Sequence, residues 1–540
     1  MKQRLTARLR GGWDMGLTRE EERRLLLCSF AFTFFWGLLA HAYGFLNGSF
    51  SHDALNALFA DGVETYWKLQ LGRFGTVVYR RLFRVPLALP WLLGVLSLFW
   101  TSLAVYLTGR LFAPRSVPGL LLTAGIYTVN LSVIAMTATY LYEMDMNMFA
   151  LLLAAAAVFL WDRFGWGGTV LGALLTAAVL SLYQSYVSVV LGLLLLFCIW
   201  QLLRGKTFRE VFFPGLRSLI MVGAGGGLYY ALLRLMVRWK DIPLDTGSYN
   251  SVYTALEPGQ DAPGLFETLR AVYRDFGAAF LDPAALHLSA GALRLHLILL
   301  VLTAVLLLWF LLRGRTGFKE KLLLVALTAL LPLGLNAARL FSGRDVHDLM
   351  KYAFWLVYLL PLLLAETVPG ERLKRPARAL IAVLALLLLW SNVQTANAVY
   401  VKKNLEYDAS LSLMTRVLGR LEGEADYEPG ETPLVFVGAD GALNESIYGF
   451  EAYGAVTGAE FPNVIPYSDV SYFYNAYAAY FKYVLNTRVR MAEPDQWMAL
   501  QRDVRVADMP AYPGQDCIRE LDGVWVVKLG EPVEWNPGKG

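Results

Sequence analysis

SFSHDALNALFADGVETYWKLQLGRF occupies residues 49–74 and follows an apolar run over 25–45. A plain membrane anchor needs only a short polar turn at this point. This stretch instead carries His52, Asp53, Asp61, Glu64, Lys68 and Arg73 among aromatic residues. Ser51 is a candidate helix cap, and Ala54, Leu55, Leu58 and Phe59 follow at helical spacing. Asp53 therefore falls at a helix start just after the first apolar run. A second helical piece is expected over 63–71. Across 74–87, Arg80, Arg81 and Arg84 are interleaved with Val77, Val78 and Leu82, the pattern of an amphipathic segment lying on a membrane surface. Helix caps with surface charges would explain the same acids without chemistry.

The rest of the chain supplies the setting. Of its 540 residues 56% are apolar and only 17% charged, against roughly 25% charged in a soluble domain. The apolar residues come in blocks close to the ~20 needed to cross a bilayer. Eleven helical spans are expected, at 25–45, 89–108, 117–137, 147–161, 168–182, 183–203, 217–236, 293–312, 322–336, 352–366 and 377–397. Residues 168–203 also read as one broken span. With the N-terminus inside, the inner turns carry most of the Lys and Arg, including Arg110, Arg204, Lys206, Arg313, Lys319, Arg372 and Arg375. That asymmetry sets the expected orientation. It makes 1–24 a cytoplasmic tail, 25–398 the transmembrane domain with a long first outer loop at 47–88, and 399–540 an extracytoplasmic domain.

That last domain reads as α/β. LVFVG (434–438) is a buried strand, and Asp522-Gly523 between two apolar runs is a hairpin signal. DVSYFYNAYAAYFKYVL and EPDQWMALQRD read as helices. Three cysteines without CxxC spacing and five histidines without HExxH give no metal-site pattern. GAGGG (223–227) lacks the remaining residues of a phosphate loop and reads as close helix packing.

Three further groups could carry chemistry. Glu143 and Asp145, with Tyr142, lie between two apolar runs with no cation nearby in sequence. Such carboxylates are costly unless they face water or a polar cavity, although a capping turn would also hold them. Tyr183 and Gln184 in SLYQSYVSV suit sugar binding, and equally an aromatic belt. Arg339, Arg344, His347 and Lys351 gather on one outer loop with Asp345 and Asp348. Arginine suits phosphate through paired hydrogen bonds, while salt bridges within the loop are the plainer alternative.

FFWGLLAHAYGFLNGSFSHDALN, VETYWKLQLGRF, ALPWLLGVLSLFW, TYLYEMDMNMFALLLA and SLYQSYVSV, in this order, resemble the bacterial Gtr-type-II glucosyltransferase family, of the GT-C class. The likeness runs from Leu25 to Asn397. It implies a GT-C-like polytopic enzyme of the bacterial inner membrane. Such an enzyme moves a sugar, typically glucose, from a polyprenyl-phosphate donor to a hydroxyl of a surface glycan such as an O-antigen. A lipid-sugar synthase and a flippase would supply the donor. The resemblance implies a first-loop carboxylate base, matched here by Asp53. Wider relatives often show two adjacent acids where this chain has His52-Asp53, so metal-independent transfer is expected, with no cofactor and no nucleic-acid partner.

On that reading Asp53, Glu143 and Asp145 are the catalytic candidates. Arg73, Arg339, Arg344 and Lys351 would bind donor phosphate. His52, Glu64, Tyr142, Tyr183, Gln184 and His347 would meet sugar or acceptor. The rivals are a lipid-linked sugar flippase or transporter, which would predict repeats and mid-span charges, and a glycan polymerase.

Overall fold

The computed structural model describes residues 18–47, 54, 61–84, 89–112, 116–245, 264–282, 290–314, 316–342, 346–368, 371–438 and 470–531. The chain divides into two units. One comprises Met1–Phe45, Thr65–Met136 and Glu143–Asn397; the other comprises Leu46–Glu64, Thr137–Tyr142 and Ala398–Gly540.

The first unit is helical, because a backbone in lipid has to satisfy its own hydrogen bonds. Among the described residues nine helices are long and apolar enough to cross a bilayer, and Val117–Thr128 with Leu131–Thr139, bent by 43°, forms a tenth span if taken together. The chain is a polytopic helical membrane protein, as expected, and among the described residues nine or ten of the eleven expected spans meet that length and composition. The expected span at 322–336 lies in the helix Phe318–Leu335, whose first turn carries Lys319, Glu320 and Lys321. Its apolar remainder rises about 20 Å, short of the roughly 30 Å hydrocarbon core. Residues 168–203 form two helices, Gly165–Leu182 and Val187–Leu203, joined by a 3₁₀ turn at Gln184–Tyr186.

Local chemistry fixes several boundaries. Thr18 and Glu21 cap the first helix, Arg19–Leu46, reciprocally: the Thr18 backbone N–H donates to Glu21 Oε2 (2.8 Å), and the Glu21 N–H donates to Thr18 Oγ1 (3.2 Å). Asn130 makes the bend in the tenth span. Its amide donates back to Ile126 O (3.0 Å), while its side-chain oxygen accepts from Val133 N–H (3.1 Å) and caps the next helix. The glycine-rich run of the helix Phe208–Lys240 packs closely at Gly225. A Cβ there would stand 2.7 Å from Thr176 Cβ and 2.8 Å from Ala173 O, on the helix Gly165–Leu182.

The second unit contains the sheet. Strands β1 (Pro433–Val437), β2 (Arg490–Met491), β3 (Ile518–Leu521) and β4 (Val524–Lys528) run in the order β2-β1-β4-β3. β1 is parallel to β2 and β4, and β3 and β4 form the expected hairpin. Asp522 and Gly523 both have positive φ (54° and 80°), as the tight hairpin turn demands. The helices Val470–Tyr483 and Pro494–Gln501 fall within the two segments read as helical. The Phe436 ring stacks on Tyr477 (4.6 Å) and Phe481 (5.6 Å). Leu413, Met414, Val417 and Leu421, from the last turns of the helix Glu371–Leu421, complete the core.

Candidate active site

The site in the first unit begins with a turn. The helix Asp61–Gln70 ends in a Schellman motif: Arg73 N–H bonds Lys68 O (2.8 Å) and Gly72 N–H bonds Leu69 O (3.0 Å). Gly72 sits at φ 71°, the left-handed position that this cap needs. Its carbonyl accepts from Tyr229 Oη at 3.2 Å. Gln184 ties the same turn down, its Nε2 donating to Leu71 O (2.9 Å) and Tyr229 Oη (3.0 Å). The next helix, Phe74–Phe83, packs against Gly165–Leu182 at Gly75, where a Cβ would stand 3.0 Å from the Ser181 backbone. The segment read as surface-lying thus has Thr76 and Tyr79 buried.

This turn and helix aim three cations inward. Lys68 pairs with Glu143, and Arg84 pairs with Asp145. Glu143 and Asp145 are two residues apart at the start of the helix Leu141–Arg163, so they face different ways, and each meets its own cation. Asp145 is 0% exposed. Arg84 Nε (2.9 Å) and Tyr79 Oη (3.0 Å) both donate to Asp145 Oδ2, and Trp100 Nε1 donates to Tyr79 Oη (2.8 Å). Rings of Tyr79, Phe83, Trp100 and Phe149 stand 5.0–5.5 Å apart around this pair. Burial, with the Asp145 charge second, raises the Tyr79 phenol well above its ordinary pKa, so it stays protonated and donates. The carboxylates expected to need water or a polar cavity are satisfied by cations from the first loop instead.

The third cation, Arg73, is 4% exposed. Its guanidinium lies over the Tyr183 ring at 4.3 Å, and its Nε donates weakly to Gln184 Oε1 at 3.4 Å. Among the described residues no carboxylate pairs with it. A buried guanidinium that no described carboxylate meets is a ready partner for an anion. From Tyr183 a file of rings continues to Tyr186 (5.8 Å) and Tyr352 (5.5 Å).

The outer-loop cations divide differently. Arg339 Nε donates to Asp275 Oδ2 (3.1 Å), on the helix Leu265–Leu281, while Lys351 pairs with Asp348 (2.8 Å) within its own 3₁₀ segment. His347 is half-buried at the start of that segment. Tyr142 belongs to the second unit, buried with its ring 5.9 Å from Tyr140. His52, Asp53, Arg344 and the side chain of Glu64 lie outside the described residues. Lys68 and Arg84 were not among the expected site residues; the signal available was that two acids in apolar surroundings require two cations.

The sequence profile of the family described as Glucosyl transferase GtrII matches residues 42–389. The chain belongs to the GtrII glucosyl transferase family. No curated protein and no solved structure matches it. The GtrII match spans Asp53, both ion pairs, Arg73, Gln184 and the 339–351 segment, so every candidate named above falls inside the family region.

Proposed function

We propose that this GtrII family member transfers glucose from a polyprenyl-phosphate donor to a hydroxyl of a surface glycan, on the outer face of the bacterial inner membrane. The observation that carries the reading is the family match over 42–389, within which Arg73 is a buried cation that meets no carboxylate among the described residues. The concentration of Lys and Arg in alternate turns supports an N-terminus inside and a sheet-bearing C-terminal domain outside.

In the proposed step the acceptor oxygen bonds the sugar C1 as the bond from C1 to the phosphate oxygen breaks. Asp53 takes the hydroxyl proton. The phosphate leaves with the electron pair, and a cation stabilises the charge that develops on it. Arg73 suits that task best, with Arg339, Arg344 and Lys351 as further candidates. Both oxygens of Asp145 are already occupied by Arg84 and Tyr79, which favours a positioning role for it. The Glu143–Lys68 pair would orient the sugar, with His52, Glu64, Tyr142, Tyr183, Gln184 and His347 as candidate contacts to sugar or acceptor. No metal takes part. A lipid-sugar synthase and a flippase supply the donor.

The test is transfer by the purified protein in detergent, with labelled polyprenyl-phosphate glucose and an acceptor glycan. Release of polyprenyl phosphate by wild type, abolished in a folded Asp53→Asn variant, is the expected result. Equal release by both removes Asp53 as the base, and no release by either removes the donor.

A further inference from the structure

Five helices of the first unit meet around a cavity of about 220 Å³ that shares no lining residue with the site above. Pro90–Phe112, Val187–Leu203 and Leu359–Thr367 end at it, and Val117–Thr128 and Glu371–Leu421 begin at it. All of it therefore lies at one end of the bundle, the end whose turns carry Arg110, Arg204, Lys206 and Arg375. The lining is mostly apolar, as at Phe112, Leu122 and Leu363, and its charged residues are Glu366 and Arg378.

Those two charges mark a depth. Glu366 directly follows the apolar run LLPLLLA (359–365), and Arg378 directly precedes the apolar run ALIAVLALLLLW (379–390). Both stand where hydrocarbon gives way to headgroups. From Glu366 the cavity reaches back to Leu359, seven residues or about 10 Å towards the hydrocarbon. Its wall also includes Ala379, which is exposed and begins a stripe with Val383 (53% exposed) and Leu387 (42% exposed) at four-residue spacing. An exposed apolar stripe on a membrane-spanning helix faces lipid chains, so the cavity borders the lipid.

The charges also have hydrogen bonds to spare. Arg378 Nη2 donates to Glu366 Oε2, and the side chains remain 35% and 23% exposed. This is the single hydrogen bond of either side chain among the described residues, and the Arg378 Nε makes none. A guanidinium has five N–H donors and a carboxylate about four acceptor positions. One acid and one base, both unsaturated, at the headgroup end of an apolar cavity complement a ligand with a phosphate, an ammonium and a hydrocarbon chain.

We propose that this cavity is a lipid site: one acyl chain of a phospholipid with a primary-ammonium headgroup fills it, with the phosphate on Arg378 and the ammonium on Glu366. The basic turns at this end favour any lipid phosphate; Glu366 selects the ammonium. The proposal stands apart from the donor reading given above.

The test titrates the full-length protein in detergent with phosphatidylethanolamine, phosphatidylcholine and phosphatidylglycerol, and reads binding as the rise in melting temperature. Wild type is expected to respond to phosphatidylethanolamine at concentrations at least about tenfold lower than to the other two, the difference that one charge-assisted hydrogen bond makes. Glu366→Gln should erase that preference, and Arg378→Met should weaken the response to all three. Ala382→Phe, which fills the cavity and keeps both charges, should abolish the phosphatidylethanolamine response; Ala382→Leu carries the same readout if the phenylalanine variant does not fold. Equal responses of wild type to the three lipids overturn the headgroup assignment. A phosphatidylethanolamine response unchanged in both Ala382→Phe and Glu366→Gln, or absent from wild type, overturns the site. Displacement of phosphatidylethanolamine by equimolar polyprenyl phosphate also overturns it, by assigning the cavity to the donor lipid.

Discussion

The helix Leu141–Arg163 carries charge at both of its ends, and the two ends are built differently. At its start, Glu143 and Asp145 meet Lys68 and Arg84, which lie more than sixty residues earlier in the chain, and the pairs are buried among aromatic rings. At its end, Asp162 pairs with its own neighbour Arg163 at 3.3 Å, with side chains 24% and 25% exposed. Arg217 donates there to a backbone oxygen, Trp161 O (2.8 Å), and lies over the Trp161 ring at 5.2 Å. The second end is what any helix terminus at an interface needs: cations near the exposed carbonyls and local pairing. The first end is more than a terminus needs. It fastens the first loop to the bundle by charges that lose their compensation if either partner is lost.

This contrast can be broken most forcefully at Asp145. Arg84→Met alone leaves a buried carboxylate without its cation and should cost about 3–5 kcal/mol, seen as a large fall in melting temperature in detergent. The double variant Arg84→Met/Asp145→Leu removes both charges and should recover most of that loss. A double variant no better than the single would mean that the pair is held by something other than charge compensation. Next in size is Gly72→Ala. Its φ of 71° disfavours a side chain, and the new Cβ would stand 2.7 Å from Tyr229 Oη; about 1–2 kcal/mol of destabilisation is expected, together with a displaced Arg73 and slower transfer. At the far end of the helix, Asp162→Asn should change stability by less than about 1 kcal/mol, as for partly exposed pairs.

The smallest effect belongs to a surface ion-pair triad in the second unit, and it sharpens the scale. Arg505 bonds both Asp503 and Asp522, and holds both carboxyls below their ordinary range. A carboxyl with a lowered folded-state pKa contributes stability above its unfolded value and loses it as pH falls through the lowered one. The gap in melting temperature between wild type and Arg505→Ala should therefore be small at neutral pH and close as the solution is made acid. A gap that widens in acid would reverse the sign of that linkage.

Much of this architecture was legible in the sequence because lipid imposes a simple rule. Apolar runs of sufficient length become helices, and the Asp522-Gly523 hairpin and the buried strand at Leu434 announce themselves by turn chemistry and a short continuous apolar run. The expected span at 322–336 is the least sharply marked, because Lys319, Glu320 and Lys321 take up the first turn of an already short helix. The acids at 143 and 145 were legible as unusual, but their partners were not. Nothing local links Lys68 to Glu143 or Arg84 to Asp145, because the tie is made by the Gly72 turn and by the packing of Gly75 on Ser181. Tyr183 and Gln184 were visible as a polar aromatic group. Their contacts with the Arg73 turn follow from the return of the chain at Gln184–Tyr186.

On the proposed function, the loop-paired end of the helix Leu141–Arg163 is the working end of the enzyme. The most direct measurement is the initial rate of glucose transfer from labelled polyprenyl-phosphate glucose by Glu143→Gln and Asp162→Asn, side by side with wild type and with folding verified by melting temperature. Loss of about a hundredfold in Glu143→Gln, the cost of a misplaced sugar, with Asp162→Asn close to wild type, is the predicted result. Equal rates in the two variants would contradict the claim and reduce the buried pairs to structural braces.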